Sequence, residues 1–245
     1  MLLSAEKVAK AFGSFQAVRG ADLTVTEGEI VGLIGPNGAG KSTFFNCLAG
    51  DMPPTAGRIV FDGADVTFAS AEAHALAGIG RTFQVPATFE DMTVLENVMV
   101  GAFLRHPHQN DARERALQVI EMTGLGEQTF VRARSLGTPG RKRLEIARVL
   151  ASGPRLMLLD EALAGLTPAE LERAIALVRR IHELGITLII VEHIMDVIMT
   201  LTHRVIVFNQ GQVIAQGEPA AVVKDEAVIA AYLGHGHRRR RRAPA

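Results

Sequence analysis

Gly35-Pro36-Asn37-Gly38-Ala39-Gly40-Lys41-Ser42 follows the pattern G-x-x-x-x-G-K-[ST], and its residue types are those that grip a polyphosphate. Glycines let the backbone curl until several N–H groups face one anion. A helix starting near Lys41 adds the positive end of its dipole. Lys41 brings a full charge to β and γ phosphates, and Ser42 offers an oxygen to Mg²⁺. The setting agrees: Glu29 to Ile34 reads as a buried strand before the loop, and Lys41 to Ala49 as a helix after it, stopped by Gly50. The plain alternative is a chance glycine-rich turn in a chain of 24 glycines, and the strand–loop–helix context weighs against it.

About 120 residues later, Leu156-Met157-Leu158-Leu159-Asp160-Glu161 reads as a buried strand ending in two acids. In phosphate-loop enzymes an Asp at such a tip holds Mg²⁺. Two adjacent acids suggest two tasks, with Asp160 steadying the metal and Glu161 polarising an attacking water as general base. Taken alone, the pair could equally be two solvated acids opening a loop; the phosphate loop favours chemistry. His193 follows the apolar strand Ile186 to Val191 and could orient that water, although a lone histidine at a strand end is more often structural. Cys47, in the helix after the loop, reads as a small buried apolar residue. Met195 and Met199 share a helical spacing and read as core, while Glu172 and Arg173 read as a solvated helix face.

These groups need a scaffold. Leu2 to Val8, Val18 to Val25, Arg58 to Phe61 and Gly80 to Phe83 read as strands or extended segments, with a turn at Asp62-Gly63 and a helix over Ala71 to Ala77. Val94 to Leu104, Asp111 to Met122 and Arg141 to Leu150 read as helices, giving a helical block of about 60 residues inserted between strands. Thr167-Pro168-Ala169-Glu170 carries a complete helix start, with a capping Thr, a first-turn Pro and a Glu to close the box. That helix runs to Leu184. Arg204 to Phe208 and Gln212 to Gln216 pair as a hairpin across Asn209-Gln210-Gly211, and short helices follow to Tyr232.

Bulk properties narrow the partners. The 245 residues are 48% apolar and carry 26 basic and 26 acidic side chains, a balance unlike that of a general nucleic-acid binder. One cysteine excludes an internal disulfide and fits a reducing compartment. The N-terminal residues lack a secretory layout, and no stretch reaches the roughly 18 apolar residues that cross a bilayer. A soluble chain is therefore expected, with any membrane role exerted through a partner or a surface contact. Residues 235–245 read as a basic, disordered tail in which Arg238 to Arg242 either touch anionic lipid or are simply solvated.

In this order, over about Leu2 to Leu233, the residues resemble the ATP-binding-cassette ATPases. The resemblance implies an α/β fold of phosphate-loop type: a mostly parallel core sheet, an antiparallel β region and an inserted helical subdomain at about 88–152 of a domain spanning 1–234. It implies that Gly35 to Ser42, with Thr43, form the Walker A loop for ATP, and that Phe12 stacks on adenine. Leu156 to Asp160 becomes Walker B, and Glu161 the catalytic glutamate. Gln84, in Arg81-Thr82-Phe83-Gln84, becomes the Q-loop glutamine, joining Ser42 and Asp160 near Mg²⁺, and His193 the switch histidine. Narrower stretches, among them Gly78 to Gln84, Thr93 to Val98, Arg143 to Arg148, Ala164 to Leu166 and Val191 to Met195, resemble the branched-chain amino acid importer branch, specifically the subunit carrying Arg-Thr-Phe-Gln. The implied partners are a second nucleotide-binding subunit (a sister or another copy), two transmembrane permease subunits and, indirectly, a solute-binding protein, at the cytoplasmic face of the inner membrane, with no nucleic acid.

The chain departs from that pattern where the family carries Leu-Ser-Gly-Gly-Gln. Here Leu136-Gly137-Thr138-Pro139-Gly140 lacks the serine hydroxyl and one backbone N–H. Thr167 stands where an Asp or Asn is usual. Two cassettes sandwich ATP head to tail in this family, so the site using Lys41, Glu161 and His193 is expected to be competent and the opposite one weaker, unless Thr138 and neighbouring amides take over the missing contacts. Competing readings are a soluble remodelling ATPase, a regulatory module with little turnover, and an exporter of lipid-linked glycan, the last disfavoured by Arg-Thr-Phe-Gln.

Overall fold

The computed structural model describes residues 1–233; the predicted basic tail at 235–245 and Arg238–Arg242 lie outside the described residues. Two compact units divide the chain, one formed by Met1–Ala69 with the described chain from Ile189 onwards, the other by Ser70–Leu188.

In the first unit, β1 (Leu3–Phe12) and β2 (Phe15–Val25) form an antiparallel hairpin turning at Gly13 and Ser14. β4 (Ala56–Phe61) pairs with β1, and β5 (Ala64–Asp65) with β4, all antiparallel. Both hairpin strands run further toward the turn than Val8 and Val18, because backbone pairing continues through Ala9, Lys10 and Ala11, which are only half-buried, to Phe12 opposite Phe15. β3 (Ile30–Ile34) is buried at every position and lies parallel to β9 (Arg204–Asn209), which pairs antiparallel with β10 (Gln212–Gly217). A valine- and isoleucine-rich core gathers Ile34, Ile198, Val205, Val207, Val222 and Val228. The chain leaves β3 through the glycine loop into α1 (Lys41–Leu48), whose Phe44 ring packs 5.1 Å from that of Phe208.

In the second unit, α2 (Ala71–Ala77) starts on the Ser70 side chain and ends in left-handed Gly78. β6 (Ile79–Arg81) runs parallel to β7 (Leu156–Asp160), another fully buried strand. Between them lie α3 (Val94–Ala102), α4 (Gln109–Met122) and α5 (Thr138–Ala151). Thr93 and Glu96 close a capping box at α3. Asn97, buried on α3, accepts from the N–H of Phe89 and donates to the carbonyls of Phe89 and Thr93, which pins the segment entering the helix. α6 (Pro168–Glu183) begins on the capping box read from sequence, Thr167 with Glu170. Glu172 and Arg173 face solvent, as their types foretell. β8 (Thr187–Val191), buried throughout, carries the chain back to the first unit, where α7 (Met195–Leu201), α8 (Pro219–Val222) and α9 (Glu226–Leu233) complete it.

Two expectations need correction. Met195 and Met199 are 38% and 44% exposed; α7 buries Val197, Ile198 and Leu201 instead, so the methionine spacing marks the outer face of the helix. Helix α5 starts at Thr138 rather than Arg141. Proline sits comfortably in a first turn, where its missing N–H would be unpaired in any case.

Candidate functional site

The glycine loop is shaped by its neighbours. Gly35, Gly38 and Gly40 have φ of 147°, 76° and 100°, a region that L side chains avoid. A Cβ on Gly35 would run into the carbonyl oxygen of Phe208 on β9, and one on Gly40 into that of Ala17 on β2. Ala39 is buried, whereas Asn37, Gly38 and Ser42 are exposed. The Lys41 ammonium lies along the loop, donating to the carbonyls of Gly35 (2.6 Å) and Pro36 (3.0 Å). Ser42 and Thr43 follow in the first turn of α1, whose Gly40 N-cap makes no side-chain cap. This arrangement fits an oxyanion chain: a left-handed glycine cradle, an ammonium beside it and a helix N-terminus behind.

Two further predicted residues belong to this unit. Phe12 stands at the end of β1, 48% exposed, with the Lys10 ammonium 5.5 Å from its ring centroid. An exposed phenyl ring can take an aromatic base. His193 is exposed in the short link between β8 and α7. From α9, Tyr232 reaches the Gly35 backbone; burial pushes its phenol up, and that contact partly offsets the effect.

The second unit assembles the acids. Asp160 closes buried β7, so its carboxylate is fixed at a strand tip with 9% side-chain exposure. The Arg81 guanidinium lies 3.4 Å from Asp160 Oδ2 and also sits 4.5 Å from the Phe83 ring centroid. The Asp160 N–H donates to the Thr82 hydroxyl at 3.1 Å. Glu161, next in the chain, has φ of 46°, strained for a glutamate and a mark of a constrained position. Its carboxylate accepts from the Gln84 amide, Nε2 to Oε2, at 2.8 Å. Gln84, Asp160 and Glu161, three residues read from sequence, are thus brought together in one unit. Arg81, in the Arg-Thr-Phe-Gln segment, takes a role from its contact with Asp160, where its guanidinium balances the charge of the carboxylate. Lys142, whose ammonium contacts the Glu161 carbonyl, carried no signal in the sequence.

Mg²⁺ prefers hard oxygen donors and keeps several waters. The Ser42 hydroxyl, the Asp160 carboxylate and the side-chain oxygen of Gln84 are such donors. Among the described residues no group of three or more His, Cys, Asp or Glu side chains could hold a metal by itself. Each of the three side chains supplies an oxygen donor of the kind that Mg²⁺ takes alongside phosphate oxygens. The residues aligned with the family signature form a helix start: Gly137 is the N-cap of α5, and Thr138 and Pro139 occupy its first turn. The Thr167 hydroxyl is engaged with Glu170 Oε2 at 2.7 Å.

Residues 18–164 match the ABC transporter family, and residues 212–238 match the branched-chain amino acid ATP-binding cassette transporter family. The chain is 37% identical over 242 residues to the high-affinity branched-chain amino acid transport ATP-binding protein BraF of Pseudomonas aeruginosa, covering 91% of this chain and 94% of that protein. It is 35% identical over 237 residues to the lipopolysaccharide export system ATP-binding protein LptB of Escherichia coli, covering 96% and 98%. A crystal structure of a nucleotide-free ATP-binding cassette from an ABC transporter superposes with a TM-score of 0.87 at 30% identity, over 96% of this chain and 99% of that one. Cradle, acids and relatives agree: the chain belongs to the ABC transporter family, as its ATP-binding cassette ATPase.

Proposed function

We propose that this chain hydrolyses ATP to drive an importer of branched-chain amino acids or a related small polar solute. The observation that carries the reading is the glycine cradle closed by the Lys41 ammonium. The importer type is supported by the match over residues 212–238 and by the name of BraF. The name of LptB, at 35% identity, supplies an export role as the second reading.

In this reading Gly35, Asn37, Gly38, Ala39 and Gly40 present backbone N–H groups to the phosphates, Pro36 shapes the loop without an N–H of its own, and Lys41 lies on the β and γ groups with Ser42 and Thr43 at the start of α1. Phe12 supports adenine. Ser42, Asp160 and Gln84 would hold Mg²⁺, which would supply charge neutralisation at the transferring phosphoryl group. Glu161 accepts the proton of a water that attacks the γ phosphorus, the bond to the bridging oxygen breaks, and ADP and phosphate result. The Gln84 amide donates to one oxygen of that carboxylate at 2.8 Å and so helps to orient it. His193 orients the water.

A second nucleotide-binding subunit, a sister cassette or another copy, completes each ATP site. Two permease subunits couple the cycle to transport at the cytoplasmic face of the inner membrane, with a solute-binding protein delivering cargo and no nucleic acid involved. Among the described residues no helix is long and apolar enough to cross a membrane. Glu161→Gln tests the catalytic assignment. Steady-state turnover of the full chain is expected to fall at least about a hundredfold, with an ATP-held dimer on size exclusion. Retained turnover would remove Glu161 as the base.

A further inference from the structure

The Glu161 turn is held from a direction the family pattern does not assign. Lys142, the fifth residue of α5, donates from Nζ to the carbonyl of Glu161 at 2.9 Å and to the carbonyl of Ala164 at 2.7 Å. The Ala164 N–H returns to the Glu161 carbonyl at 3.2 Å, closing a short turn. Ala162 and Leu163 within it are buried, so its apolar side is anchored too. Glu161 needs this support, because φ of 46° costs a β-carbon residue energy that the surroundings must supply. Relaxation to an ordinary φ would swing the Cα–Cβ bond and carry the carboxylate away from Gln84, its 2.8 Å partner. An ammonium donating to two carbonyls of one turn is a charge-assisted clamp on that conformation.

We infer that Lys142 is a positioning residue for the general base: through the two carbonyls it fixes the left-handed turn that aims the Glu161 carboxylate. The inference rests on Glu161 being the base and adds a residue outside the known motifs. It has a mechanical consequence. The clamp is part of the helix that Gly137 caps and whose first turn holds Thr138 and Pro139, so one side chain ties the aligned signature residues to the catalytic turn of the same chain.

The test uses the full chain with Lys142→Met, Lys142→Arg and Glu161→Gln, measuring Mg-ATP turnover, affinity for a fluorescent ATP analogue and thermal midpoint. Lys142→Met is expected to lower kcat by about tenfold to a hundredfold, with nucleotide affinity and KM changed by less than about twofold. Lys142→Arg should recover most of the kcat, because a guanidinium can also donate to both carbonyls. Lys142→Met should cost nothing further in the Glu161→Gln background. If Lys142→Met keeps normal kcat while Glu161→Gln abolishes it, the inference falls and the base assignment stands. If Glu161→Gln itself turns over, the base assignment falls and takes the inference with it. A Lys142→Met chain that loses affinity and melting temperature in step with kcat reveals a merely structural lysine and also overturns it. Should that variant fail to fold, Lys142→Gln, which keeps a neutral donor, is read by the same criteria.

Discussion

Glu161 holds the chain in a left-handed turn, and Gln84 and Lys142 grip it at the carboxylate and the carbonyl. The acids were legible in the sequence because a strand tip followed by two carboxylates is a local pattern. Arg81 and Lys142 were not, because their partners lie 79 and 19 residues away and side-chain direction has no sequence signature. Cys47 was read from its type and setting alone: it is buried, and desolvation raises its thiol to about 11. At pH 8 the native thiol should therefore resist iodoacetamide and react fully once the chain is unfolded in urea, with mass spectrometry counting the adducts. Alkylation of the native protein at the rate of a free thiol would contradict its burial. The Met195 and Met199 reading failed for the opposite reason, since helical spacing identifies a face without saying which way that face points.

Elements defined by backbone demands were the easiest to foresee. The loop over Gly35–Gly40 needs left-handed positions, and the α6 start needs a cap, a proline and an acid, so residue type and conformation are linked directly. Helix α5 begins at Thr138, ahead of the expected Arg141, because a proline is accommodated in a helix's first turn. This also changes how the departure from the family signature is understood. Gly137 caps a helix, so Gly137→Ser adds a side-chain acceptor at a position that favours one, and Pro139→Gly restores an N–H near the helix N-terminus. We expect the double variant to raise ATP hydrolysis or ATP-driven pairing in the assembled cassettes by up to about tenfold, the scale of one charge-assisted hydrogen bond, with the melting midpoint little moved. Unchanged hydrolysis and pairing would mean that Thr138 and its neighbours already supply the contacts.

At the scale of the whole molecule, the first unit is sewn from both ends of the chain, and composition gives no hint of it. One seam is Arg204 on β9, which donates to Glu29 just before β3 at 2.8 Å across 175 residues and also to the Thr24 carbonyl. Burial pushes the Glu29 carboxyl up, but Arg204 and Thr26 outweigh it and hold the carboxyl below its ordinary 4.5. A depressed acid contributes stability that is present above that ordinary value and is lost as pH falls through the folded one. Glu29→Gln should accordingly destabilise the protein at pH 7 by about 1–3 kcal/mol, and urea titrations should show the gap to wild type closing as pH drops below about 4. A gap independent of pH would assign the loss to packing instead of charge.

Every role proposed for the acids presupposes a triphosphate in the glycine cradle, so nucleotide binding is the decisive quantity. Isothermal titration of the purified full chain with ATP and Mg²⁺, set beside Lys41→Ala, measures it directly. The account predicts saturable binding by the wild type, weakened at least about tenfold by Lys41→Ala through loss of a charge-assisted contact. No binding by the wild type, or equal binding by both proteins, would contradict it.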